Sequence, residues 1–364
     1  MLSKTKTDEY YMNCALELAE NGRSCSPNPK VGCVIVRDGK IIGSGWHDKC
    51  GEPHAEANAV ADAGGDIKGA AVYVTLEPCS HFGRQPPCAE LLVRHAPARV
   101  IAATGDPNPK VAGRGFARLR DAGIEVKVGV LEKEARYINR GFLRRIKDGR
   151  PWVTVKCAAS LDGKVALENG ESKWITGPEA RAAVHAMRAA NDALATGSGT
   201  ILADDPELTV RDAPGRTPLR AVFDRRLRTP AEAKLLNTPG VLVFTAEEVK
   251  SAAAQRLIAA GAEVECLDAG DSFIKEALAR LAEKGVNYLM LEAGPELTSA
   301  FMAQGLCDEL VLFMAPKLMG RGRSFTDGLI YNKMSLVQSL KNITISSCGC
   351  DLMIKGSFEC SQDL

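Results

Sequence analysis

This 364-residue chain has no excess of basic residues, no hydrophobic segment near its start and few histidines, and each of these features limits the functions it can have. The 46 lysine and arginine residues are balanced by 45 aspartate and glutamate residues, so no basic surplus is available to hold a nucleic-acid backbone. The first ten residues carry Lys4, Lys6, Asp8 and Glu9 with no apolar run behind them, which predicts neither a signal peptide nor a membrane span. We therefore expect a cytoplasmic protein with a small-molecule substrate, with neither a nucleic-acid nor a membrane partner, and with a homo-oligomeric assembly.

Histidine is also scarce, and its distribution is uneven. Four of the five histidines, His47, His54, His81 and His95, precede residue 100, and only His185 lies beyond it. The twelve cysteines are scattered through a long chain that shows no secretory signal, which favours free thiols and metal ligands over a disulfide framework. Metal chemistry is therefore predicted for the N-terminal part of the chain.

One short constellation in that part predicts a catalytic zinc site. His54 is followed two residues later by Glu56, and Cys79 follows Pro78 nine residues before Cys88. A hydrolytic zinc takes three protein ligands, keeps one position open and needs an acid/base group beside it. We predict His54, Cys79 and Cys88 as the ligands and Glu56 as the acid/base. The order resembles the signature of zinc-dependent nucleobase deaminases, although the spacing between the cysteines is longer than the usual form.

Alternatives remain at this point. A structural zinc clip closed by Cys25, Cys50 or His81 would leave Glu56 as a solvated helix residue, but it would not explain why a carboxylate stands two residues from a ligand. A nucleobase or nucleic-acid deaminase with a non-catalytic C-terminal assembly domain is a second alternative, and it lacks a basic, aromatic-rich binding surface in this sequence. A non-enzymatic zinc-clipped binding module is the third.

Hydrophobic patterning predicts two α/β domains. The segment 147–151 ends a predicted charged helix and introduces an apolar strand, so we place the domains at residues 1–148 and 149–364. In the first domain the predicted elements are a helix over 8–22, strands over 31–36 and 40–45 joined by Asp38-Gly39, a helix over 54–63, a strand over 71–76, a helix after Pro87 and a strand over 99–104.

The second domain shows a largely parallel pattern and ends in a hairpin over residues 343–358 that Gly349 interrupts. Its predicted strands are 152–157, 219–224, 241–245, 263–267, 288–292 and 309–315, and its predicted helices are 178–190, 251–260, 273–284 and 296–304.

The first domain resembles the deaminase domain of the bifunctional riboflavin-biosynthesis deaminase–reductase family. The stretches that carry the resemblance are residues 27–32, 47–56, 75–88, 106–109 and 111–115. The resemblance implies a cytidine-deaminase-like three-layer fold and a substrate that is a diaminopyrimidinone carrying a ribosylamino 5′-phosphate, which loses its 2-amino group as ammonia. The substrate contacts that it implies are Asn28, His47, Arg84 and Asn108.

The residues themselves support these contacts unevenly. Asn28 lies between two prolines, and its amide offers a donor and an acceptor to a pyrimidine edge, although an ordinary Asx turn would use it equally well. Arg84 could neutralise a phosphate, but a lone arginine in a loop is usually solvated.

The second domain resembles the reductase of the same family, through residues 160–164, 171–176, 199–206 and 208–211. The resemblance implies a dihydrofolate-reductase-like α/β fold that uses NADPH to reduce the ribosyl side chain to a ribityl chain. The NADP contacts that it implies are Ala158, Trp174, Thr200, Asp204 and Gly294. The substrate contacts that it implies are Ser172, Arg188, Leu208, Arg211 and Glu292.

Residues 289–297 predict a strand that runs into Gly294 and a helix start, where backbone N–H groups can bind pyrophosphate, although the full glycine-rich dinucleotide fingerprint is absent. Structural alternatives remain open for three of the implied contacts: Trp174 could fill the core, Arg188 could lie on a solvated helix face, and Asp204 could belong to a turn.

One position departs from the family pattern. Arg225 follows Asp224 where the family usually has serine. We hypothesise that Arg225 or Arg226 meets the 2′-phosphate of NADP, because a guanidinium suits phosphate geometry. For the reduction itself, Lys156 and Asp204 are both candidate general acids.

Overall fold

The computed structural model describes residues 7–22, 24–81, 86–108, 111–211 and 213–361. The chain divides into two compact units, Met1–Asp148 and Gly149–Leu364. Within the described ranges, no helix combines the length and the apolar character that a membrane span requires.

The first unit is built on a five-stranded sheet in the order β2-β1-β3-β4-β5, in which β1 is antiparallel to β2 and β3, and β3, β4 and β5 are parallel. Its elements in chain order are α1 (Asp8–Glu20), β1 (Gly32–Arg37), β2 (Lys40–Trp46), α2 (Ala55–Asp62), β3 (Ala71–Val74), α3 (Cys88–His95), β4 (Arg99–Ala102), α4 (Arg114–Asp121), β5 (Glu125–Val128), α5 (Glu132–Ile138) and α6 (Arg140–Asp148).

Helices cover both faces of this sheet because its central strands are apolar on both sides. Along β1, Cys33 and Ile35 pack into one core with α2, α3 and α4. The alternate residues Val34 and Val36 pack into a second core with α1 and α5. The result is the α/β/α three-layer arrangement that the sequence predicted.

The second unit is built on a nine-stranded sheet in the order β11-β10-β9-β8-β12-β6-β13-β16-β15. Its elements in chain order are β6 (Trp152–Ser160), β7 (Lys164–Leu167), α7 (Pro178–Ala190), β8 (Ala193–Gly197), α8 (Ser198–Asp204), β9 (Leu219–Phe223), β10 (Val241–Thr245), α9 (Ala252–Ala259), β11 (Glu263–Cys266), α10 (Phe273–Glu283), β12 (Tyr288–Leu291), α11 (Pro295–Ala303), β13 (Glu309–Ala315), β14 (Gly322–Ser324), β15 (Leu340–Cys348) and β16 (Asp351–Phe358).

Seven neighbouring strands of this sheet are parallel: β11, β10, β9, β8, β12, β6 and β13. The β15–β16 hairpin adds two antiparallel strands at the edge next to β13. Helices α10 and α11 pack on one face, and α7, α8 and α9 pack on the other. The mainly parallel order and the terminal hairpin confirm the predictions made from the sequence.

Every predicted helix and strand is present, with ends within three residues of those predicted. The patterns did not predict β5, β7, β8, β14, α4, α5 or α8. Strand β8 illustrates the reason. Its residues, Ala193–Gly197, are buried throughout and include two alanines and only one β-branched residue, Thr196, so they show no alternation and little of the composition typical of strands.

The carboxylate of Asp308 holds the first residues of the second unit, Arg150 and Val153, in place. This fully buried carboxylate accepts two hydrogen bonds from the Arg150 guanidinium, at 2.7 and 2.9 Å, and a third from the backbone N–H of Val153 at 2.8 Å. Such charge-assisted bonds are among the stronger interactions in proteins. They attach the first residues of the unit to β6, a central strand of its sheet.

We expect Asp308→Asn to lower the stability of the second unit by about 3 kcal/mol, because it removes the buried negative charge that pairs with the Arg150 guanidinium. The measurement is the urea concentration at which half of the catalytic activity of this unit is lost. As the control, Glu283→Gln removes an exposed ion pair with Arg280 and should change stability by less than about 0.5 kcal/mol. Equal urea midpoints for the two variants would show that the Asp308–Arg150 ion pair does not stabilise the second unit.

Candidate active sites

The three predicted zinc ligands meet in the first unit although they come from different segments. His54 is the N-cap residue of α2, Cys79 follows β3 in the chain, and Cys88 is the first residue of α3. Two helix N-termini therefore lie at the site. Their dipoles favour the negatively charged form of a thiol, which is the form that binds metal.

The distances between the ligand atoms suit a zinc ion. Nδ1 of His54 lies 3.3 Å from Sγ of Cys88 and 3.5 Å from Sγ of Cys79, and all three ligand atoms lie within 4.8 Å of one another. Zinc bonds of about 2.0–2.1 Å to nitrogen and about 2.3 Å to sulfur place tetrahedral ligand atoms roughly 3.5–3.8 Å apart. The donor set of one imidazole and two thiols therefore fits zinc.

A closed structural clip finds no support in the described part of the chain. There, His54, Cys79 and Cys88 form the only group of three or more histidine, cysteine or acidic side chains that could hold a metal ion. Cys25, a candidate fourth ligand, donates from its thiol to the carbonyl oxygen of His47 at 2.9 Å. The three-ligand set leaves a position for water, as catalysis requires.

Glu56 is the carboxylate nearest to this set in sequence, and it lies in the first turn of α2. Its side chain is 4% exposed and hydrogen-bonds with the thiol of Cys88. Burial, together with the charge of Cys79, raises the pKa of Glu56 to about 7. A bound zinc ion would add positive charge and favour the ionised carboxylate. The group is thus placed to accept and release a proton.

The two thiols are linked by a hydrogen bond that separates their pKa values. The hydrogen bond from Cys88 lowers the pKa of Cys79, and the same bond, together with burial, raises the pKa of Cys88. Binding of a metal ion would release the Cys88 proton, because both ligands must be thiolates.

Two predicted substrate contacts lie beside the ligands. Nδ1 of His47 lies 3.2 Å from the carbonyl oxygen of Pro53, so this nitrogen carries the proton, and burial lowers the pKa of His47. In the neutral ring Nε2 then accepts from the Asn28 amide at 3.1 Å. The His47 ring packs edge-on against His54, with ring centroids 5.3 Å apart. Asn28 and His47 therefore form one wall of the site.

Glu77 organises a loop that carries a predicted substrate contact, and the sequence reasoning missed it. Its buried carboxylate accepts four hydrogen bonds of 2.9–3.3 Å from the backbone N–H groups of Asp106, Gly113, Gly115 and Phe116. It thereby fixes the loop that carries Asn108, whose own N–H donates to the Asp106 side chain at 2.8 Å. A carboxylate within the matched stretch 75–88, directly after an apolar strand, was the available signal. Arg84 lies outside the described residues.

In the second unit a cavity of about 1260 Å³ collects most of the remaining predicted contacts. All five predicted NADP contacts line it, as do the predicted substrate contacts Ser172, Arg188, Arg211 and Glu292. Leu208 is different, because its side chain is 3% exposed and does not line the cavity.

A buried ion cluster lies at the wall of this cavity. Glu292 accepts two hydrogen bonds of 3.0 Å from the Arg188 guanidinium, and its carboxylate lies 3.2 Å from Nζ of Lys156. Burial alone would raise the pKa of Glu292, but the charges and hydrogen bonds of Lys156 and Arg188 lower it to about 2. Glu292 is therefore ionised at neutral pH. Arg188 is buried rather than on a solvated helix face, and it also donates to the carbonyl of Thr209 at 2.9 Å.

Two of the predicted NADP contacts, Thr200 and Gly294, lie where a strand is followed by a helix start. The backbone N–H of Gly294, the N-cap of α11, donates to the Thr200 hydroxyl at 3.1 Å. Trp174 does not fill the core, because it is 65% exposed and stacks under the Arg181 guanidinium, 4.6 Å from its ring centroid. Asp204 is the last residue of α8 and lies 3.3 Å from Nζ of Lys173.

Three arginines line the end of the cavity that follows β9. Arg225 donates to the carbonyl oxygens of Ala269 and Gly270 and stacks 4.8 Å from the ring centroid of Phe273. Arg228 donates to the Ser198 hydroxyl at 3.0 Å. Arg226 lines the same end and has no hydrogen-bond or ion-pair partner among the residues that the structure describes.

Known proteins match both units. Residues 5–104 match the cytidine and deoxycytidylate deaminase zinc-binding region, and residues 151–354 match the RibD C-terminal domain. The riboflavin biosynthesis protein RibD of Aquifex aeolicus is 43% identical, over 95% of this chain and 97% of its own length. The protein of the same name from Escherichia coli is 44% identical, over 86% of this chain and 89% of its own length.

Solved structures agree with these matches. Acinetobacter baumannii RibD superimposes with a TM-score of 0.89 at 40% identity, covering 98% of this chain and 99% of its own. The diaminohydroxyphosphoribosylaminopyrimidine deaminase/5-amino-6-(5-phosphoribosylamino)uracil reductase of Thermotoga maritima has a TM-score of 0.86 at 34% identity, covering 96% of this chain and 98% of its own.

The match to the RibD C-terminal domain and the relatives that share both domains favour a bifunctional enzyme over a nucleic-acid deaminase with a non-catalytic C-terminal domain. From both units together, we conclude that this chain belongs to the RibD family of riboflavin biosynthesis proteins and is a bifunctional deaminase and reductase that uses zinc and NADPH.

Proposed function

We propose that the first unit deaminates a diaminopyrimidinone that carries a ribosylamino 5′-phosphate. The observation that carries the proposal is the convergence of His54, Cys79 and Cys88 with Glu56 buried beside them. Zinc held by these ligands would supply Lewis-acid activation of water. Glu56 would take one proton from the attacking water and pass it to the adjacent ring nitrogen, and would then pass the proton of the new hydroxyl group to the 2-amino group. The bond to that nitrogen breaks, ammonia leaves, and the carbonyl forms at the same carbon.

The walls of the pocket would orient the pyrimidine. The Asn28 amide and the neutral His47 ring lie together at the ligand His54 and present polar groups suited to the edge of a base. Asn108 would approach from the loop that Glu77 holds. We assign the substrate phosphate to Arg84 on the basis of charge alone.

The second unit would reduce the ribosyl group of the deaminated product. When bound in the cavity, NADPH would be the source of the hydride that the ribose carbon bearing the amino nitrogen accepts. The ring oxygen leaves that carbon and must gain a proton to become a hydroxyl group. Lys156 is better placed than Asp204 to donate it, because Lys156 brings N–H donors to the cavity wall, whereas Asp204 is an acceptor paired with Lys173. Ionised Glu292 would hold Lys156 in position.

Arginine recognition of the 2′-phosphate would give the preference for NADPH over NADH. Of the two hypothesised residues, Arg225 already donates to two carbonyl oxygens, whereas Arg226 has no such partners within the described ranges. We therefore assign the 2′-phosphate to Arg226. Arg225 would form the adjacent wall.

We also propose a homo-oligomer formed at the outer edge of β15. This edge strand and the segment before it expose large apolar side chains, among them Ile330, Met334, Ile343 and Ile345. An open strand edge with apolar neighbours is a ready site for pairing with another chain. A second copy can pair its own β15 antiparallel about a two-fold axis.

A reducing compartment such as the cytoplasm would keep the ligand thiols available for zinc.

Glu56→Gln is expected to lower the rate of ammonia release at least about hundredfold, because the proton-transfer group is lost while the zinc ligands stay in place. The measurement is mass spectrometry of the products formed from the diaminopyrimidinone ribosyl phosphate and NADPH, together with the zinc content. Wild-type protein should give a deaminated and reduced product. As a control, the variant should still reduce the deaminated pyrimidine when it is supplied directly. Ammonia release at the wild-type rate would rule out Glu56 as the proton-transfer group.

Arg226→Ala is expected to raise the KM for NADPH about tenfold and to leave the KM for NADH nearly unchanged, because one charge-assisted contact to the 2′-phosphate is lost. Steady-state reduction with each cofactor gives the comparison. Arg225→Ala is the matched control and should shift the ratio less. A larger shift for Arg225→Ala would reverse the assignment.

Ile345→Lys is expected to break the oligomer into monomers, because it places a charge at the centre of the proposed contact. Sedimentation velocity measures the assembly. Val128→Lys, on the edge strand β5 of the first unit, changes an exposed apolar residue elsewhere and should leave the assembly intact. Monomeric wild-type protein would refute the proposal.

A further inference from the structure

The loop that carries Asn28 is held by a segment more than a hundred residues away. This Asn28 loop, residues 25–30, contains no helix or strand. Its first residue, Cys25, is fixed by the thiol contact to the carbonyl of His47. Its other end is held by residues from the joint between α5 and α6, which lie beyond the zinc-binding region at residues 5–104.

Asn139 makes the principal contact. Its side chain is 1% exposed and meets both backbone polar groups of Lys30: the Lys30 N–H donates to Oδ1 at 2.7 Å, and Nδ2 donates to the Lys30 carbonyl at 2.8 Å. Only an amide side chain carries a donor and an acceptor in this arrangement. Arg145, on α6, donates to the carbonyl of Pro27 at 2.7 Å. The two contacts therefore lie on either side of Asn28.

The helices at the joint use backbone groups of Asn139, and not its amide, to hold themselves together. The N–H of Asn139 donates to the carbonyl of Ala135 at 3.2 Å, and its own carbonyl accepts from the N–H of Leu143 at 2.9 Å. Ala135 also anchors α5 in the apolar core. The side-chain amide is thus directed to the Asn28 loop.

A continuous set of contacts leads from Lys30 to the predicted metal ligand His54. Lys30 is two residues from Asn28, the Asn28 amide meets Nε2 of His47, and the His47 ring packs on His54. A small displacement of Lys30 would therefore move Asn28 relative to the position where the substrate base reacts. Misplacement of about 1 Å is enough to cost a large factor in rate.

We propose that Asn139 is a positioning residue for deamination, because it sets the place of Asn28 against the zinc ligands. This rests on the proposed function of Asn28 as a substrate contact. The α5–α6 segment is accordingly part of the deaminase site.

The test uses the full-length, zinc-loaded protein with Asn139→Ala and Asn139→Asp. Asn139→Asp retains the acceptor for the Lys30 N–H but replaces the donor by a second oxygen, which repels the Lys30 carbonyl oxygen when the carboxylate is ionised. Both variants should lower kcat/KM for ammonia release about tenfold or more, mainly through KM, while the reductase activity of the same chain and its zinc content stay at wild-type levels. In the background of Asn28→Ala, Asn139→Ala should have little further effect, because the group that it positions is already absent.

Tyr73→Phe provides a control for simple loss of stability. Its hydroxyl donates to Asp8 at 2.8 Å and accepts from Arg99 at 3.1 Å, away from the Asn28 loop, so its loss should lower Tm without changing KM. An equal rise of KM in Tyr73→Phe at the same loss of Tm would overturn the proposal.

Two further outcomes separate the proposal from the function on which it rests. If Asn28→Ala raises KM but Asn139→Ala does not, or if their effects multiply in the double variant, the positioning role is overturned while the role of Asn28 stands. If Asn28→Ala leaves KM unchanged, the substrate role of Asn28 fails, and the positioning of Asn28 by Asn139 fails with it.

Discussion

The deaminase unit depends on one electrostatic constraint, the burial of Glu56 beside two thiols that must become thiolates. Three negative groups in one low-dielectric pocket are strongly unfavourable without a compensating cation. A zinc ion supplies that charge. The rest of the local structure brings the ligands to one point: two helices begin at the site, and the strand β3 delivers the segment that carries Cys79. The same constraint acts on the pKa of Glu56 in two directions, because burial raises it and the charge of a bound zinc ion would lower it.

The reductase unit meets a similar constraint with side chains alone. Glu292 is buried, and the two cations Lys156 and Arg188 stabilise its charge and lower its pKa to about 2. The cluster ties together β6, α7 and the end of β12, so three separate elements of the unit are fixed at the cavity wall. One unit thus keeps its buried carboxylate ready to exchange a proton, and the other keeps its carboxylate permanently ionised.

The parts of the structure that could be predicted were those encoded in short stretches of sequence. The spacing of His54, Glu56, Cys79 and Cys88 is local, and the continuous apolar run along β1 is typical of a strand that is buried on both faces. Glu77 and Asn139 could not be found in this way, because each acts on backbone groups far away in the chain, and those partners leave no pattern in side-chain type. The carbonyl contacts of Arg225 and the burial of Leu208 depend in the same way on tertiary packing.

The net charge of the chain conceals how its charge is distributed. Nine lysine and arginine residues but only four aspartate and glutamate residues line the reductase cavity, in a protein whose formal net charge is +1. A concave surface of one sign focuses its field outward and raises the local concentration of oppositely charged ions. Phosphorylated molecules would therefore be drawn to the cavity mouth before any specific contact forms. Their association rate would fall as ionic strength rises, since the Debye length shortens from about 10 Å at 0.1 M salt to about 3 Å at 1 M.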